Sequence, residues 1–125
     1  MNLKIREYVA GENANIAVVV NDYGECDVLD FIEGLSESDQ RKVVHLFRLF
    51  CERGEIRNEE KFKHEAGKIF ALKSFQVRIL AAFLPASEKR TLVLLHAFKK
   101  KSDKLKASDL ERAQALYEKT IKISE

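Results

Sequence analysis

Apolar and polar positions alternate at the start of residues 3–9 (Leu-Lys-Ile-Arg-Glu-Tyr-Val), and Ile16 to Val20 is a β-branched run. Both patterns predict strands, joined by a turn at Gly11 to Asn15 and stopped by the Asn21-Asp22-Tyr23-Gly24 cluster. The rhythm then changes. Val28, Leu29, Phe31, Ile32 and Leu35 stand at helical spacing, which predicts a short first helix over Cys26 to Leu35, broken at Gly34. Ser36 or Ser38 offers a cap for a second helix, whose stripe Val43, Leu46, Phe47 and Phe50 repeats at three- and four-residue steps until Gly54. Together the two predict a helical hairpin.

Glu55 to Gly67 is polar, with Ile56 and Phe62 its only large apolar residues, and is expected to be a loop with a helical turn. Three closely spaced apolar runs follow: Ile69 to Leu72, Phe75 to Leu84 and Thr91 to Phe98. Their connections, at Ser74 and at Pro85 to Arg90, are short enough to imply antiparallel neighbours. Val93, Leu94 and Leu95 do not alternate, which predicts a strand covered on both faces and therefore central. Ser108-Asp109-Leu110-Glu111 matches a capping box, ahead of a C-terminal helix with Leu110, Ala113, Tyr117 and Ile121 on its apolar face. The predicted order is strand, strand, helix, helix, strand, strand, strand, helix. Runs of like elements argue an α+β fold, with helices packed on an antiparallel sheet.

Composition narrows the class. At 125 residues, 46% apolar and 34% charged, the chain is expected to form one folded domain over 1–125, with 1–24 as an N-terminal strand extension. The longest charge-free stretches, Asn13 to Asn21 and Ile79 to Ser87, are far shorter than the roughly 20 residues of a membrane span. The N-terminal residues alternate charged with apolar and do not read as a signal peptide, so a cytoplasmic protein is expected. Cys26 and Cys51 have no disulfide or metal-ligand spacing and read as small apolar residues. Residues 1–60 carry 7 Lys/Arg against 13 Asp/Glu, net −6, whereas residues 61–125 carry 15 against 7, net +8. A basic half hidden behind a net charge of +2 points toward a polyanion partner.

Several site classes are excluded. The chain has no glycine-rich phosphate loop, Cys-His metal signature or nucleophile elbow, so no cofactor or metal is expected. What remains is His96-Ala97-Phe98-Lys99-Lys100-Lys101 at the end of the central run, with Lys68, Lys73 and Arg78 on the neighbouring ones. Cations gathered near an apolar sheet suit a phosphodiester, because they neutralise backbone phosphate and favour the added charge of a phosphorane transition state. RNA carries its own nucleophile, the 2′-hydroxyl, so such a site needs neither metal nor activated serine. A solvated lysine run and a structural histidine are the bland alternatives.

These segments resemble a known family. Lys-Ile-Phe-Ala-Leu-Lys (68–73), Val-Arg-Ile-Leu (77–80), Leu-Leu-His-Ala-Phe-Lys-Lys-Lys (94–101) and Asp-Leu-Glu-Arg-Ala (109–113) together resemble the RelE superfamily of bacterial toxins, closest to its phage-derived, HigB-like branch. The resemblance spans roughly residues 26–121. It implies a RelE-like fold and a type II toxin that cleaves messenger RNA on the ribosome, silenced by a cognate antitoxin, often a helix-turn-helix protein. It further implies that Arg78 contacts the scissile phosphate, that Lys73 takes the basic position closing the family's Glu-Leu-Arg-like strand, and that Lys99 and Lys100 hold phosphate or protonate the leaving oxygen. Lys68 and Lys101 would bind RNA beside them, and His96 would act as acid or base or in support. Ala71 replaces the family's acidic residue and Val77 its aromatic, and no residue clearly matches the family's C-terminal general base, since Tyr117 lies on the apolar helix face. The competing expectation is a non-catalytic binding protein on the same fold, either a ParE-like gyrase inhibitor or a nucleic-acid-binding domain.

Overall fold

The computed structural model describes residues 2–85, 87–102 and 104–124. Its elements are β1 (Lys4–Ala10), β2 (Asn15–Val20), α1 (Asp27–Glu33), α2 (Glu37–Arg53), β3 (Phe62–Ala66), β4 (Ile69–Ser74), β5 (Val77–Phe83), β6 (Thr91–Lys99) and α3 (Ala107–Ser124). The six strands form one sheet in the order β1-β2-β6-β5-β4-β3. All pairings are antiparallel except β2 with β6, which run parallel. The chain is thus α+β, with two helices ahead of the last four strands and one after them.

Burial explains the strand order. Ile16 to Val20 and Leu92 to Leu95 are buried without a break, as strands covered on both faces must be, and β2 and β6 lie side by side inside the sheet. Each face carries its own apolar core. One joins Ile16, Val18, Leu72, Ile79 and Leu94 to Val28, Ile32, Val43, Phe47 and Phe50 of α1 and α2. The other joins Ala17, Val19, Ile69, Ala71, Leu80, Val93 and Leu95 to Ala113, Leu110 and Leu116 of α3.

Local chemistry sets the helix ends. Ser36 accepts a hydrogen bond from the Asp39 N–H at 3.1 Å, and Gly54, at φ 80°, closes α2 by donating its N–H to the Phe50 carbonyl. The β1–β2 turn satisfies further carbonyls at that end. The Asn13 and Ala14 N–H groups both donate to the Cys51 carbonyl, and the Asn13 side chain donates to the Glu52 carbonyl.

Three expectations are corrected. Residues 55–67 do not form a loop with a helical turn; Phe62–Ala66 is a sixth strand, β3, at the sheet edge. Bonded on one side only and with none of its residues fully buried, it needs little apolar content, and Phe62 holds it by stacking on Phe70 at 5.1 Å. Ser108 does not cap α3, because the helix begins at Ala107 and places Ser108 within its first turn. Nor does Phe75 begin a strand: it sits with Gln76 in the two-residue turn between β4 and β5. Of the predicted connection at Pro85 to Arg90, Ala86 lies outside the described residues. The N-terminal strands extend the sheet through β2.

Candidate functional site

The sheet face under α3 is where cations collect. Leu72, Val77 and Ile79 belong to the core beneath α1 and α2, so strand alternation brings Lys73 and Arg78 out on the opposite face, beside Ala71 and Leu80. Cross-strand pairing then places Lys73 opposite Arg78 and Arg78 opposite Phe98. The Lys100 N–H donates to the Gln76 carbonyl at 2.7 Å, continuing the ladder past β6 and returning Lys100 to the face that Phe98 occupies. Lys73, Arg78 and Lys100 line one cleft of about 220 Å³, together with Lys63 and Glu65 of β3 and Lys104 of the following loop.

Five cations and one carboxylate in a cleft floored by Ala71 and Leu80 make a positive trough, and low-dielectric walls concentrate its field. Arg78 is half-buried, and its Nη1 donates to the carbonyls of Phe75 at 2.6 Å and Val77 at 3.0 Å. Its guanidinium is therefore aimed by the turn it braces. Glu65 owes its position to a break in register: the β3–β4 pairing shifts between His64 and Ala66, and the residue left over is Glu65. Such bulges re-aim side chains near functional sites.

His96 lies outside that lining. The β5–β6 register shifts between Leu80 and Ala81, leaving Leu95 without a pairing partner, so Leu95 is buried under α3 while His96 is half-buried above it. Its Nε2 is 2.7 Å from Asp109 Oδ1, and since a carboxylate only accepts, Nε2 carries the proton. The ring also stacks on Phe98, which borders the cleft, at 5.6 Å. Lys99 and Lys101 are exposed and outside the lining, and Lys68 is in the turn at the far end of β4, about 17 Å of strand from Lys73.

Lys63, Glu65 and Lys104 are the residues that sequence reasoning missed. Lys63 and Glu65 flank His64 in a polar Phe-Lys-His-Glu-Ala stretch before Gly67, where three consecutive polar residues hide the strand. Lys104 gave no signal, because only tertiary folding brings its loop over the sheet. Tyr117 is half-buried against the α3-side core, with its hydroxyl 3.5 Å from the Phe83 carbonyl. Both cysteines are buried, and burial pushes the Cys51 thiol up to about 11, which keeps it protonated and unreactive. Among the described residues no helix is long and apolar enough to cross a membrane.

A family model described as Phage derived protein Gp49-like (DUF891) matches residues 30–118. The match runs from within α1 into α3 and takes in Lys73, Arg78, His96 and Lys100. No curated protein matches the chain.

Proposed function

Because the chain belongs to the phage-derived Gp49-like family, whose members are toxin-like proteins of toxin–antitoxin systems, we propose that it is a type II toxin of the HigB-like branch of the RelE superfamily. In this reading it acts in the cytoplasm as a ribosome-dependent messenger RNA endoribonuclease and is held silent by a cognate antitoxin. The observation that carries the reading is the convergence of Lys73, Arg78, Lys100 and Glu65 on one cleft.

The reaction suited to those groups is transesterification within the RNA. The 2′-oxygen attacks the adjacent phosphorus while the P–O5′ bond breaks, leaving a 2′,3′-cyclic phosphate and a 5′-hydroxyl. Glu65 takes the proton from the 2′-hydroxyl, and Lys100 gives one to the departing 5′-oxygen. Arg78 and Lys73 hold the non-bridging oxygens as their charge grows, an interaction stronger in the transition state than in the bound substrate. Lys99 and Lys101 meet phosphates on either side, and Lys68 reaches only a longer strand. His96 is a positioning residue, tying the start of α3 to β6 and backing Phe98.

Induction of the chain without an antitoxin is expected to arrest growth and to cut messenger RNA within codons, leaving 5′-hydroxyl ends that primer extension maps. Arg78→Ala should lower cleavage by about 10²–10³-fold. Since Arg78 also braces a turn, Lys73→Ala serves as the second variant, expected to lose cleavage with an unchanged circular dichroism spectrum. Unarrested growth with intact transcripts at confirmed expression overturns the reading. A DNA-damage response with intact messenger RNA would replace it with gyrase inhibition.

A further inference from the structure

The β4–β5 turn is built against its own backbone preference. Among the described residues Phe75 is the one non-glycine with positive φ, at 56°, in a two-residue hairpin loop where glycine or asparagine normally takes that conformation. The residue is 73% exposed. A strained, solvent-facing aromatic persists only where the surroundings hold it, and here they do: Arg78 grips its carbonyl at 2.6 Å, and Lys42 Nζ of α2 sits 4.2 Å from the ring centroid.

The ring borders a groove of about 520 Å³ between α2 and the hairpin, within the size range of small-ligand sites. Leu49 contributes to its apolar floor, and Lys42, Lys61 and Lys73 set its charge against the single carboxylate of Glu60, while Arg41 is paired with Glu37. Among the described residues no salt bridge engages those three lysines. Lys73 lines both this groove and the basic cleft on the α3 face, so the two sites share a wall.

We propose that this groove is a nucleotide subsite for single-stranded RNA, in which Phe75 stacks a base next to the cleaved linkage while Lys42 and Lys61 take its phosphate. An exposed aromatic among lysines is the combination that single-stranded nucleic acid recognises, base to ring and phosphate to cation. The inference deepens the nuclease reading and rests on it. It also supplies the stacking surface that Val77, in place of an aromatic before Arg78, does not.

The test is binding of a short, uncleavable 2′-O-methyl oligoribonucleotide carrying 2-aminopurine, followed by anisotropy and by quenching of that base. Phe75→Gly is expected to weaken binding about tenfold and abolish the quenching, while Phe75→Tyr retains both. The thermal midpoint of Phe75→Gly should not fall, because glycine suits the turn, so lost binding is not lost folding. Unchanged affinity and quenching in Phe75→Gly overturn the subsite, as does a wild-type protein that ignores the RNA and takes an acidic peptide instead. Cleavage of natural RNA combined with Phe75-independent binding removes the subsite and spares the nuclease; Phe75-dependent binding without cleavage does the reverse.

Discussion

Two hairpin turns at different ends of the sheet are solved in opposite ways. In the β1–β2 turn, Gly11 packs so tightly on α2 that a Cβ added there would lie 2.5–2.6 Å from atoms of Cys51, and the turn's N–H groups complete the helix C-terminus. Glycine is present for space, and the turn is part of the core. In the β4–β5 turn, space is plentiful, yet a phenylalanine takes the conformation glycine would adopt without strain. The first turn spends its residues on stability. The second accepts strain to hold an aromatic in solvent beside the cations of both candidate sites, which is how functional surfaces differ from structural ones.

Substitutions at each turn sharpen that contrast. The largest effect is expected at Gly11→Ala: the new methyl meets helix backbone and a buried side chain, neither of which can yield cheaply, and unfolding in urea should show a loss of about 3 kcal/mol. A loss below about 1 kcal/mol would mean that the turn is no part of the core. Next comes the alkaline limb of the stability curve. Cys51 has its pKa raised from 9.0 to about 11, chiefly by burial, so the unfolded chain releases that proton first. The stability this confers is fully present below pH 9 and is lost as pH rises toward 11; the decline should shrink in Cys51→Ala once that variant's cavity cost at neutral pH is subtracted. The smallest effect is expected at Phe75→Gly. Relief of the positive φ offsets glycine's entropy and the lost Lys42 contact, leaving a gain of less than about 1 kcal/mol in the same urea assay. Should Phe75→Gly destabilise as much as Gly11→Ala, the two turns would be alike and the contrast would fail.

Much of the fold was legible because burial leaves periodic marks. The stripe Val43, Leu46, Phe47, Phe50 and the stop at Gly54 predicted α2, and the unbroken Val93-Leu94-Leu95 predicted a strand inside the sheet. Strand β3 escaped because an edge strand buries little: Lys63 and His64 are exposed, and only Phe62 anchors it among the large apolar residues. The parallel pairing of β2 with β6 escaped as well, since it joins segments some 75 residues apart with no local signal. The capping-box reading failed at Ser108, where Asp109 bonds His96 across elements.

The candidate site divides along the same line. Residue types and spacing singled out Lys73, Arg78 and Lys100, because cations beside apolar runs stand out in one dimension. Alternation on the strands then decided that Lys100 shares their face while Lys99 and Lys101 stay outside the cleft. Two register shifts, at Glu65 and at Leu95, set a carboxylate into the cleft and turned His96 toward Asp109. Sequence by itself determined the helices, the interior strands and the basic character of the second half, all of which follow from local periodicity and charge. Only tertiary structure decided strand order, the edge strand, the reach of Lys104 and the strained Phe75, because each depends on contacts between segments that a linear pattern does not encode.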